Sequence, residues 1–216
     1  MRARVTRSDL LFPPGDGYGV QCAALRGAKP GSWKCLKHQG ENGYTVHMDE
    51  VAKLLSDMVE TGTITDYAVF GAVAQMRYTE AVATLDADIL VDVPEPHALD
   101  VLHRIYAFCE DRGYRQEGEA IRVGDWPVQF IPAFSSLTEA AIREAETGDL
   151  DGVPLRVVRA DYLAVIALSV GRAKDFARIL ALRESGAVAD EQISELAARY
   201  DLAAAWSAFL ERFDES

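Results

Sequence analysis

The chain has 216 residues, 34 Asp and Glu against 22 Lys and Arg, and a formal net charge of −12. That length can bury one sizeable core with an appendage, while the acidic balance repels phosphate at long range and argues against sequence-independent nucleic-acid binding. The longest apolar run, from Leu163 to Val170, is too short to span a bilayer and leads into Arg172 and Lys174.

Residues 1–47 differ from the rest. They hold seven Lys/Arg and three Asp/Glu, a net of +4, which leaves −16 for the remainder. Seven glycines, three prolines and no sustained period read as a flexible extension. The apolar stretch Leu10-Leu11-Phe12 is too short for a signal peptide. Cys22, Cys35, His38 and His47 match no zinc-finger spacing. Three cysteines in all make no disulfide framework and suit a reducing cytoplasm. The folded unit is expected to begin at Met48, with the upstream stretch either a flexible extension or the product of a start codon placed too early.

From Met48 an amphipathic helix places Val51, Leu54, Leu55, Met58 and Val59 on one face and stops at Gly62. A strand ends at Phe70, and a helix follows Gly71. The next strand is expected over 86–93. A helix from Pro96 puts Leu99, Leu102, Ile105, Tyr106 and Phe108 inward and ends at Gly113. Residues 115–122 and 127–132 read as a hairpin turning at Gly124-Asp125. Ser136-Leu137-Thr138-Glu139 reads as a capping box opening another helix. Val153–Val158 reads as a last short strand, followed by helices over 160–170, 173–184, 190–199 and 202–213. The fold class is α/β (α+β): a mixed sheet flanked by helices over 48–158, then a helical C-terminal region over 159–216. No internal repeat is visible.

Thr84-Leu85-Asp86-Ala87-Asp88 carries the chemistry. Alternate strand side chains point to opposite faces, so Asp86 and Asp88 share one face while Leu85 and Ala87 face away. Two acids on one face of a buried strand are costly unless a cation neutralises them. Divalent metal ions would do so and would also hold nucleotide phosphates. Upstream, Phe70-Gly71-Ala72-Val73-Ala74 reads as a strand running through a small-residue turn into a helix start. Such a turn offers close backbone approach and unpaired N–H groups to a phosphate.

These residues, with Tyr67-Ala68-Val69 before them and Arg77-Tyr78-Thr79-Glu80 between, resemble the polymerase-beta-like nucleotidyltransferase superfamily, in particular its bacterial abortive-infection toxin-like branch. The resemblance runs from about Met48 to the C-terminus. It implies a nucleotidyltransferase-like fold, with Asp86 and Asp88 as catalytic metal ligands for Mg or Mn. Gly71, Ala72 and Thr84 would lie on the nucleotide. In Gly171-Arg172-Ala173-Lys174-Asp175, Lys174 and then Arg172 would meet the phosphates, with Asp175 orienting the basic side chain. Active relatives usually add a carboxylate from a later strand. Here that strand is Trp126-Pro127-Val128-Gln129-Phe130-Ile131, and Gln129 stands in the place. An amide oxygen is a weaker metal ligand and a poor general base. Asp125 is too far along the strand to substitute, while Glu119 on the hairpin partner is within reach.

The implied activity is transfer of a nucleoside monophosphate from an NTP to a hydroxyl acceptor: an RNA end such as tRNA, a protein or a small molecule. The branch also implies an antitoxin partner and no membrane. The rival reading is an inactive relative that binds nucleotide or a protein. No Walker A sequence, Gly-x-Gly-x-x-Gly or Gly-x-Ser-x-Gly elbow is present.

Overall fold

The computed structural model describes residues 48–80, 82–94, 101–150 and 152–214, together with strand backbone at 19–24, 32–39 and 42–45. The strands are β1 (Gly19–Ala24), β2 (Ser32–Gln39), β3 (Asn42–Thr45), β4 (Asp66–Val69), β5 (Ala83–Thr84), β6 (Ala87–Asp92), β7 (Arg115–Glu117), β8 (Ala120–Val123), β9 (Trp126–Pro132), β10 (Glu146–Leu150) and β11 (Val153–Val157). The helices are α1 (Asp49–Glu60), α2 (Gly71–Gln75), α3 (Val101–Asp111), α4 (Ser136–Arg143), α5 (Ala160–Val170), α6 (Ala173–Glu184), α7 (Asp190–Arg199) and α8 (Ala203–Phe213).

All strands join one mixed sheet in the order β5-β1-β2-β10-β11-β4-β6-β9-β8-β7, with β3 also on β2. At its centre β4 runs antiparallel to β6, and β6 runs parallel to β9. The parallel pair sets Asp88 beside Gln129 and Ala87 beside Val128. Burial alternates along β9, with Trp126, Val128 and Phe130 in the core. The mixed α/β architecture is therefore as the sequence implies.

In the N-terminal stretch, residues 19–24, 32–39 and 42–45 are strands: β1 pairs with β2 and β5, and β2 with β3 and β10. The glycines and prolines that suggest loop fall largely outside these strands; residues 1–18, 25–31, 40–41 and 46–47 lie outside the described residues. The expected single strand over 115–122 is broken into β7 and β8 by a turn in which Gly118 has φ +65°. Strand β10 was not expected, because Glu146-Thr147-Gly148-Asp149-Leu150 lacks a β-branched or apolar alternation. Helix α4 is capped by Ser135 rather than Ser136: Thr138 N–H donates to Ser135 Oγ at 3.2 Å, and Ser135 N–H donates to Thr138 Oγ1 at 3.2 Å.

In α3, Ile105 and Cys109 are buried, but Leu102 is 36% exposed and Tyr106 and Phe108 only half-buried. Leu99 and the Pro96 helix start lie outside the described residues. Val59, expected on the apolar face of α1, is 38% exposed, whereas Val51, Leu54, Leu55 and Met58 are buried at the helical spacing. Helix α5 is buried nearly all round from Ala160 to Leu168, as befits a helix enclosed by others. It packs on α6, α7, α4, α2 and α8, and so joins the helical region to the sheet. Phe176, Phe209 and Phe213 form tilted ring pairs between α6 and α8.

Candidate functional site

Gly71 and Asp88 define the site. Strand β4 ends at Val69, and Phe70 N–H donates to Asp88 O at 2.8 Å, which locks the exit of β4 against β6. The chain then turns at Gly71 with φ +62°, a conformation glycine takes without steric cost. A Cβ on Gly71 would overlap Asp88 Oδ2 and stand 2.8 Å from Asp88 Cγ. The carboxyl of Asp88 therefore lies directly over the Cα of Gly71. Helix α2 has only five residues, so its dipole is small, and the close approach is what the glycine provides. Ala72 follows in the first turn, half-buried.

Asp86 precedes β6 rather than lying in it, in a bend after β5. Thr84 Oγ1 donates to Asp86 O at 3.0 Å and reaches Asp86 Oδ1 at 3.3 Å. Thr84 thus orients the first acid. Leu85, expected to share the face of Ala87, is 67% exposed, while Ala87 is fully buried; the bend removes Leu85 from strand alternation. Burial, and then the charge of Asp86, push the Asp88 carboxyl up to about 6. Arg178, Lys174 and Arg172 oppose that rise. These three are the cations that helix α6 and its N-cap bring to the site.

Gln129 stands next to Asp88 on the neighbouring strand, as the strand alignment expects. Its Nε2 donates to Glu119 Oε2 at 3.4 Å, so the hairpin does bring a carboxylate to Gln129. Among the described residues no three of His, Cys, Asp and Glu are grouped to hold a metal ion. Asp86 and Asp88 alone fit magnesium, which takes one or two carboxylates and completes its shell with water and substrate phosphates.

At the α5–α6 junction Gly171 has φ +70° and caps α5. Arg172 N–H donates to Asp175 Oδ2 at 3.2 Å, and Arg172 Nε donates to the same oxygen at 2.7 Å. Burial alone would raise the Asp175 carboxyl, but these bonds hold it below the usual range. Asp175 does orient a basic side chain, and that side chain is Arg172. Lys174 is exposed. Arg77 and Tyr78 serve the scaffold: Arg77 pairs with Glu146 at 3.0 Å, and Tyr78 Oη donates to Val158 O at 3.0 Å.

Two further residues belong to this cluster. Arg178 Nε donates to Gln75 Oε1 at 3.0 Å, joining α6 to the end of α2. Gln75 is 6% exposed. The only sequence signal for Arg178 is its i+4 spacing from Lys174, which sets both on one helix face.

No family model and no curated protein matches the chain. Among solved structures it is similar to the antibiotic-resistance factor ANT(2'')-Ia, a solution structure, at 17% identity and a TM-score of 0.45 over 78% of this chain and 97% of that one. It is also similar to an antigenic nucleotidyltransferase-like protein from Paracoccidioides brasiliensis, at 16% identity and a TM-score of 0.42 over 74% and 93% of the two chains. Likenesses of this size decide nothing about activity, which rests on the chain's own residues.

Proposed function

We propose that this chain is a metal-dependent nucleotidyltransferase of the polymerase-beta-like kind, which moves a nucleoside monophosphate from an NTP to a hydroxyl acceptor. The observation that carries the reading is the Asp88 carboxyl held over the Cα of Gly71, with the charge of Asp86, two residues upstream, acting on it. Burying one acid beside another has no evident benefit to the empty fold. Asp86 and Asp88 would hold Mg or Mn, with Thr84 orienting Asp86. The metal would neutralise charge on the phosphoryl oxygens. The acceptor hydroxyl oxygen bonds to the α-phosphorus and gives its proton to solvent, while the α–β phosphoanhydride bond breaks and pyrophosphate leaves. Lys174 faces the phosphates from α6. Arg172 steadies the α6 N-terminus through Asp175.

A second reading, a nucleotide-binding protein without catalysis, is favoured by one observation: the place beside Asp88 holds a neutral amide, Gln129. Incubation with each of the four NTPs labelled at the α-phosphate separates the two. Total tRNA, the protein itself and a panel of hydroxylated small molecules serve as acceptors. The transferase yields a labelled adduct and pyrophosphate, and Asp86→Asn abolishes both. Absence of any adduct, with metal-dependent binding intact, establishes the second reading.

A further inference from the structure

Arg77, Arg156, Arg159, Arg172 and Arg183 each meet a carboxylate at 2.6–3.3 Å. Arg178 differs. It is half-buried on α6, it makes no ion pair among the described residues, and its hydrogen-bond partner is the neutral oxygen of Gln75. A guanidinium half withdrawn from water and in contact only with a neutral oxygen has its charge balanced at a distance alone. Its Nε is engaged, which fixes the plane of the fork while leaving the two terminal nitrogens for another acceptor. Gln75 closes α2, the turn that begins against Asp88 at Gly71, and Arg178 feels the charges of both Asp175 and Asp88. This cation, with no carboxylate in contact among the described residues, therefore stands beside α2 and the two-acid site, one helical turn beyond Lys174.

We propose that Arg178, fixed by Gln75 and assisted by Lys174, is the side chain that binds the polyphosphate tail of the substrate, and that it makes the site demand a triphosphate over a monophosphate. Arg172 differs from Arg178 in already holding a carboxylate, that of Asp175. A bidentate contact to phosphate oxygens supplies the contacting anion that Arg178 lacks among the described residues. The proposal rests on the nucleotide site described above, but its ligand is the phosphate chain itself.

The test is calorimetric titration of the full-length protein with inorganic tripolyphosphate, and separately with NTP and NMP in the presence of magnesium. Arg178→Gln is expected to weaken tripolyphosphate and Mg-NTP by about ten- to a hundredfold, and to leave NMP within about twofold. Arg172→Gln should change tripolyphosphate affinity by less than about threefold. Gln75→Glu retains Arg178 but gives it a carboxylate, and should weaken tripolyphosphate by about tenfold or more. Arg178→Lys should recover part of the loss, and thermal midpoints of the unliganded variants identify any that fail to fold. Equal affinity of wild type and Arg178→Gln for both phosphate ligands overturns the proposal, as does an equal loss in Arg172→Gln. Binding of Mg-NTP that ignores Arg178 sinks this inference and spares the transferase. Arg178-dependent binding of tripolyphosphate without any binding of Mg-NTP does the reverse. A wild type that binds neither overturns both.

Discussion

Above pH 6 an ionised Asp88 sits against the Gly71 backbone with Asp86 beside it. Its folded pKa of about 6 lies above the ordinary 3.8, so the folded state holds the proton more tightly than the unfolded one. Stability therefore falls as pH rises from about 4 to 6, and the cost is complete at neutral pH. Asp88→Asn removes it. The expected outcome is a rise in the metal-free thermal midpoint at pH 7.5, equivalent to roughly 1–3 kcal/mol, and no rise at pH 4, where Asp88 is already neutral. A loss of stability at both pH values would make Asp88 a structural residue. Gly71→Ala tests the same contact from the other side. Positive φ costs about 1–2 kcal/mol for alanine, and displacement of Asp88 adds to it. Because the atoms met are those of Asp88, the penalty should shrink in an Asp88→Gly background, seen in denaturant midpoints of the double-mutant cycle. An additive cycle would show that the two residues do not touch.

Helices were far more legible than strands. The 3.6-residue period and small-residue stops fix 160–170, 173–184 and 190–199 at the bounds observed, and 202–213 to within one residue. In α6 and α8 the packing adds a junction no period reveals. Arg183 donates to both oxygens of Asp190 at 2.7 Å and to Asp214 at 2.9 Å, and it lies over the ring of Trp206. Lysine cannot reproduce that planar fork. Arg183→Lys should cost roughly 1–2 kcal/mol, read by urea unfolding; a change under about 0.3 kcal/mol would leave the network without energetic weight. Strand β10 shows the opposite case. Its residues carry no intrinsic strand preference, and pairing with β11 and β2 overrides that. At the site, Asp86, Asp88 and Gln129 could be found because they share a short motif and a strand register. Arg178 could not, because its partner Gln75 lies 103 residues away.

For the molecule as a whole, the N-terminal strands bear on function. Strand β1 pairs Val20 with Thr84 and Gln21 with Ala83, immediately before Asp86. A chain beginning at Met48 loses that pairing and the β2–β10 pairing as well. Its thermal midpoint should fall, and its Mg-dependent NTP affinity should weaken more than its affinity for tripolyphosphate, because β5 supports the acids and α6 carries the cations. An unchanged midpoint with unchanged affinity would show that residues 1–47 support neither fold nor site.

In the proposed transferase, Asp86 and Asp88 form a nucleotide site only when a divalent cation joins them. Calorimetric titration of the full-length protein with NTP, with magnesium and then with the metal chelated, tests it directly, alongside the Asp86→Asn/Asp88→Asn double variant. Saturable binding with magnesium is expected, with a loss of at least about tenfold in affinity on chelation, and none of that metal dependence in the double variant, whose fold stays intact. Equally tight binding without metal, or undiminished metal-dependent binding by the double variant, would contradict it.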